Sequence, residues 1–119
     1  MYPPRLIEHF QNPRNVGELA PPAVMVEVSN PACGDILRLS ALFEADVAVE
    51  VRYKVRGCTA SIAAGSALSE WMIGKSRADL LALAAEIIDQ ALGGLEPASK
   101  HAAVLCVDGA KAIARSAVS

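Results

Sequence analysis

The chain has 119 residues, 53% of them hydrophobic and 20% charged, which suits one globular domain with a modest core and leaves too little for two. Eleven Lys and Arg against thirteen Asp and Glu give a formal charge of −2, which excludes a global positive field that would draw the protein onto nucleic acid. Only 4% of the residues are aromatic, so the core has to be packed from small aliphatic side chains, and no run approaches the ~18 apolar residues that a bilayer span requires.

The opening Met-Tyr-Pro-Pro-Arg lacks the apolar stretch and small-residue cleavage site of a secretory signal, so a cytoplasmic, reducing compartment is expected. Leu6, Ile7 and Phe10 after Pro3-Pro4 predict a short amphipathic helix, which the turn-rich Asn12-Pro13-Arg14-Asn15-Val16-Gly17 ends. Residues 1–20 thus read as an N-terminal arm on a single domain spanning 1–119. His9, beside Glu8 and far from any thiol in sequence, is expected to be an exposed helix residue.

Val24, Val26 and Val28 alternate with Met25, Glu27 and Ser29, a strand that Asn30-Pro31 closes. A second strand is expected over residues 36–43, with Leu37, Leu39, Ala41 and Phe43 on one face and Arg38 and Ser40 on the other. Val47, Val49, Val51, Tyr53 and Val55 oppose Glu50, Arg52, Lys54 and Arg56 in a third. Short links make the three neighbours in an antiparallel meander with one apolar and one charged face.

Everything after the meander reads helical. Ala60, Ala63, Ala64, Ala67, Leu68 and Trp71 recur at three and four residues, with Trp71 as a core anchor and Gly74 as the stop. Ser76 is a candidate N-cap for a helix bearing Leu80, Leu81 and Leu83, and Ile87, Ile88, Ala91 and Leu92 form another before Gly93-Gly94. A last helix follows Pro97. Strands first and helices afterwards predict an α+β domain, a three-stranded antiparallel sheet covered on one face by C-terminal helices.

Three widely spaced cysteines, Cys33, Cys58 and Cys106, argue against a disulfide framework and for free thiols or metal ligands. Cys33 and Asp35 flank Gly34 in the turn between the first two strands, where both side chains can face one ion or simply form a turn with a small buried thiol. Cys58 stands where the third strand gives way to the Ala-rich helix, and a helix N-terminus favours thiolate, the form that binds metal. His101 opens the last helix. Together Cys33, Asp35, Cys58 and His101 would offer two soft thiolates, an imidazole and a hard carboxylate, a set suited to iron, an iron–sulfur cluster or zinc. Cys106 lies on the apolar stripe of the last helix, five residues past His101, as a buried small hydrophobe or, by a change of register, a further ligand.

Asn12-Pro13-Arg14-Asn15-Val16-Gly17, Asn30-Pro31-Ala32-Cys33-Gly34-Asp35, Gly57-Cys58, Glu70-Trp71 with Gly74-Lys75-Ser76, and Lys100-His101 occur in this order along nearly the whole chain. In this the sequence resembles the iron–sulfur cluster assembly scaffolds of the IscU family, equivalently the N-terminal domain of NifU. The resemblance implies a platform rather than an enzyme, which takes sulfur from a cysteine desulfurase, adds iron, builds a labile [2Fe–2S] cluster and passes it to apo-proteins. It implies Cys33 and Cys58 as thiolate ligands, His101 as a nearby ligand and Asp35 as the residue that keeps the site exchangeable. The chain departs from the pattern at Ala102, where the family has a third cysteine that receives sulfur and holds the cluster. Leu95-Glu96-Pro97-Ala98-Ser99 replaces the Leu-Pro-Pro-Val-Lys motif that such scaffolds present to an Hsp70 chaperone, and the insertion of the zinc-dependent SufU branch is absent. The alternatives are a divergent zinc-binding or metal-free regulatory paralogue that docks on the desulfurase, and a sulfur-transfer protein using Cys58 or Cys106.

Overall fold

Three runs of alternating residues pair into one antiparallel sheet of order β1-β2-β3, with β1 at Val24–Ser29, β2 at Ile36–Glu44 and β3 at Val47–Arg56. The structure is a computed structural model and describes residues 2–31 and 34–116. Helices α1 (Pro4–Gln11), α2 (Thr59–Met72), α3 (Arg77–Leu81), α4 (Ala85–Ala91) and α5 (His101–Arg115), with a 3-10 turn at Pro97–Ser99 leading into α5, complete the expected α+β order. None of the described helices is long and apolar enough to cross a membrane.

The β1 valines pack against the core while Met25, Glu27 and Ser29 are exposed, the two-residue period of a strand with one covered face. In β3 the period holds from Val51 onward but is reversed before it: Ala48 is buried and Val49, expected inside, is 40% exposed. The cause is a bulge. Glu50 pairs with Leu42 but Ala48 with Phe43, so Val49 is the extra residue and the facing of the strand changes there.

On the apolar face α2 lies over β3 and α5 over β1 and β2, with the two helices side by side. Small residues permit this. A methyl at Gly65 would fall 2.5 Å from the Tyr53 ring, and one at Gly109 would fall 2.7 Å from Cδ2 of Leu37. Ala60, Ala63, Ala64 and Ala67 fill the rest of the α2 contact. Met72, one residue past the expected anchor, takes the fully buried place; Trp71 sits at the rim, partly buried, with Lys75 Nζ 5.2 Å from its ring centre. Ser76 caps α3 in a reciprocal pair with Asp79.

The N-terminal arm is bound at three levels. Leu6 of α1 is buried against α2. Val16 then lies along the edge of β3, where Tyr53 N–H donates to Asn15 O at 2.9 Å and Gly17 N–H to Tyr53 O at 3.0 Å, so the edge is paired at Tyr53. Beyond it the chain crosses the second face of the sheet, with Leu19 N–H donating to Ser40 Oγ at 3.0 Å and Arg38 pairing with Glu18 at 2.8 Å. Ser40, expected on an exposed charged face, is therefore buried.

His9 is not an exposed helix residue. Its Nδ1 meets Ser66 Oγ of α2 at 2.8 Å, Arg14 donates to the same nitrogen at 3.4 Å, and Glu70 lies 3.7 Å from Nε2. Burial, and then the Arg14 guanidinium, hold its pKa below the usual imidazole value, outweighing the opposite pull of Glu70 and Glu8. The neutral ring is thus the form the fold binds. Between the lowered folded value and the unfolded value near 6.5 the unfolded chain takes up more protons, so this contribution is present above about pH 6.5 and is lost as pH falls. The thermal midpoint of the wild type is expected to drop more steeply from pH 7.5 to 5.5 than that of His9→Gln, and parallel curves would contradict the assignment.

Candidate metal centre

Antiparallel register brings the site together. Ile36, the first residue of β2, faces Arg56, the last of β3, so Asp35 and Gly57-Cys58 are neighbours at one end of the sheet. The preceding turn is held by Asn30 N–H donating to Asp35 O at 2.9 Å and Gly34 N–H to Asn30 O at 2.7 Å, with Gly34 at φ 74°, a torsion that glycine adopts without steric penalty. Cys58 is the N-cap residue of α2, and the 3-10 turn delivers His101, the first residue of α5, to the same end.

Three donor atoms converge there. Cys58 Sγ lies 3.4 Å from Asp35 Oδ2 and 3.5 Å from His101 Nε2, and Nε2 lies 3.3 Å from the same carboxylate oxygen. His101 Nδ1 is 3.1 Å from the carbonyl oxygen of Ala98. A carbonyl only accepts, so Nδ1–H donates to it, and this bond turns Nε2 toward the sulfur and the carboxylate, the orientation a metal ligand needs. Asp35 is buried, whereas Cys58 and His101 are partly exposed, so the site opens to solvent on its sulfur and nitrogen side. Sulfur, nitrogen and oxygen donors within 4.8 Å of one another suit a cation of borderline softness such as iron or zinc.

Two residues shape this set without being donors. A methyl on Gly57 would fall 2.5 Å from Oδ1 and 2.6 Å from Cγ of Asp35, so the carboxylate occupies the space that a side chain would take. Gly57→Ala is expected to displace Asp35 and lower metal affinity about 10-fold or more, by analogy with the loss of an outer-shell partner. A Co(II) titration checks this, and unchanged affinity would show that the carboxylate is not held there. The second is Ser61, which is 1% exposed, donates its hydroxyl to Asp35 Oδ2 in a short hydrogen bond and lies 3.4 Å from Cys58 Sγ. Sequence reasoning passes over Ser61; the only sign of it is a hydroxyl three residues after the cysteine in a run of alanines.

Of the other candidates, Cys33 lies outside the described residues. Cys106 lies in the core of α5, 1% exposed, and burial pushes its thiol up to about 12. Tyr53 is raised to about 12 as well, by its own burial first and by the neighbouring Cys106 second. A thiol so placed stays protonated at neutral pH, and the described residues that converge on the site are Asp35, Cys58 and His101. Ala102, beside His101, is fully buried.

A family model described as the NifU-like N terminal domain matches residues 1–118. Among characterised relatives, a bifunctional protein NifU/MnmA of Rubrobacter xylanophilus is 45% identical over 109 residues, covering 90% of this chain. The chain spans only 22% of that relative's length. An iron–sulfur cluster assembly scaffold protein IscU of Azotobacter vinelandii is 35% identical over 118 residues, covering 96% of this chain and 91% of that protein. The crystal structure of a nitrogen-fixing NifU-like protein (N-terminal) from Brucella abortus superposes with a TM-score of 0.77 over 95% of this chain and 91% of that one, and at 18% identity it shows a shared fold.

Proposed function

The chain belongs to the NifU-like N-terminal domain family, and from that membership we propose that it is a scaffold on which iron–sulfur clusters are assembled and from which they are passed on. The observation that carries the proposal is the convergence of Asp35, Cys58 and His101 at one end of the sheet. Iron and sulfide are cargo here, so the site has to bind and let go. The thiolate of Cys58 is the soft donor that holds cluster iron, and Nε2 of His101 is a second donor already turned inward by the hydrogen bond at Nδ1. Asp35 supplies a hard oxygen, a poorer partner for soft iron than sulfur, which favours release. Cys33 is proposed as the further thiolate on the family resemblance. A cysteine desulfurase would supply the sulfur and apo-proteins would take the cluster, of the [2Fe–2S] type, in the reducing cytoplasm. Anaerobic reconstitution with ferrous iron and sulfide is expected to produce visible iron–sulfur absorbance, and folded protein that stays colourless would overturn the proposal.

Ala102 supports a second reading. Without a cysteine after the histidine, the domain would be a zinc-binding or metal-free paralogue that docks on the desulfurase without building clusters, or one that carries sulfur alone. Stoichiometric zinc in protein purified without oxygen, with no cluster after reconstitution, would select it.

A further inference from the structure

We infer that Ser61 is a positioning residue of this centre, whose buried hydroxyl keeps Oδ2 of Asp35 turned toward Cys58 and His101. The inference rests on the metal-centre reading above and adds to it the residue that orients its carboxylate.

Ser61 sits in the first turn of α2, three residues after Cys58, so the two side chains share one side of the helix end. An ionised carboxylate only accepts hydrogen bonds, so the serine proton in the Ser61–Asp35 contact goes to Oδ2, and the serine lone pairs face Cys58 Sγ at 3.4 Å. On its other side the carboxyl group lies in the space left by the missing side chain of Gly57, against which Oδ1 is set. Asp35 is thus clamped between a glycine that gives it room and a hydroxyl that selects which oxygen faces the sulfur and the imidazole. Oδ2 is the same oxygen that lies 3.4 Å from Cys58 Sγ and 3.3 Å from His101 Nε2, so the bond to Ser61 orients the atom a metal would use. A hydroxyl with less than 2% exposure is desolvated, and it needs a partner in the folded state; here that partner is a ligand atom. Outer-shell hydrogen bonds of this kind fix a ligand's orientation, and their loss usually costs ~10–100-fold in metal affinity.

The test is a double-substitution cycle read by Co(II) binding, using thiolate-to-cobalt charge-transfer absorbance under anaerobic conditions. Ser61→Ala is expected to bind Co(II) about 10-fold more weakly than the wild type, Ser61→Thr, which keeps the hydroxyl, to recover most of that loss, and Ser61→Ala to cost nothing more in an Asp35→Ala background. Circular dichroism on each variant shows that it is folded. Wild-type affinity in Ser61→Ala would overturn the inference, as would an equal loss with and without Asp35, or a folded Ser61→Thr that behaves like Ala. If the wild type shows no thiolate-to-cobalt band, or Cys58→Ala leaves the band unchanged, the metal-centre reading itself fails. If those two controls behave and Ser61→Ala matches the wild type, only the role of Ser61 fails.

Discussion

Cys58→Ala is expected to abolish the visible absorbance of the reconstituted protein and to weaken Co(II) binding by more than the ~10–100-fold that the loss of an outer-shell partner costs. Cys58 is the soft donor among the three described residues that could hold the metal, and the remaining pair, a carboxylate and an imidazole, discriminates poorly in favour of sulfur-loving iron. The same substitution should uncouple metal from stability. A cation present at 100 times its dissociation constant adds about 2.7 kcal/mol to the folded state, so the wild-type thermal midpoint should rise with metal and fall with chelator, while the variant responds to neither. A Cys58→Ala protein that keeps the wild-type spectrum and the wild-type shift would remove the sulfur from the centre and the proposed function with it. Because Cys58 caps α2 through its backbone carbonyl, with no side-chain capping bond to the helix backbone, the metal-free fold should be little disturbed, and this separates loss of the ligand from loss of the domain.

Leu39→Ala is expected to cost about 4–5 kcal/mol, the upper part of the ~2–5 range for such truncations. Leu39 is fully buried in the central strand, between Val26 and Tyr53 in register, with the Gly109 position of α5 close above it. Gly109, which closes one side of the cavity, has no side chain to swing into the void, so the cavity should stay largely open. For a domain of this size the thermal midpoint should fall by roughly 15 °C. A loss below about 1.5 kcal/mol, measured by denaturant titration, would mean that the helices settle onto the sheet after all.

The element order, the alanine stripe of α2 and the valine alternation of β1 are legible from spacing alone, because they are local patterns set by the periods of helix and strand, whereas Ile7, Phe10, Leu81 and Ile87, expected on apolar helix faces, are exposed. Val49 departs from the expected facing because a bulge is a property of two strands: which residue is left over depends on how β2 pairs, and no period within β3 reveals it. His9 and Ser40, expected at the surface, are covered for the same kind of reason. His9 is covered by α2 and Ser40 by the N-terminal arm, through bonds that span 57 and 21 positions of the chain. Asp35, Cys58 and His101 were singled out by residue type at the ends of elements, and that much is chemistry readable in one dimension.

The chain itself dictates the α+β order, the small-residue core and the presence of sulfur, imidazole and carboxylate at three element ends, since each follows from local period or residue chemistry. Tertiary structure decides the rest. Antiparallel pairing of Ile36 with Arg56 sets Asp35 beside Cys58, the 3-10 turn returns His101 to that end, the empty side of Gly57 admits the carboxylate, and Ser61 turns its oxygen inward. Asp35 and His101 stand 23 and 43 residues from Cys58 along the chain, and at such separations only the packing of sheet on helix determines which groups meet.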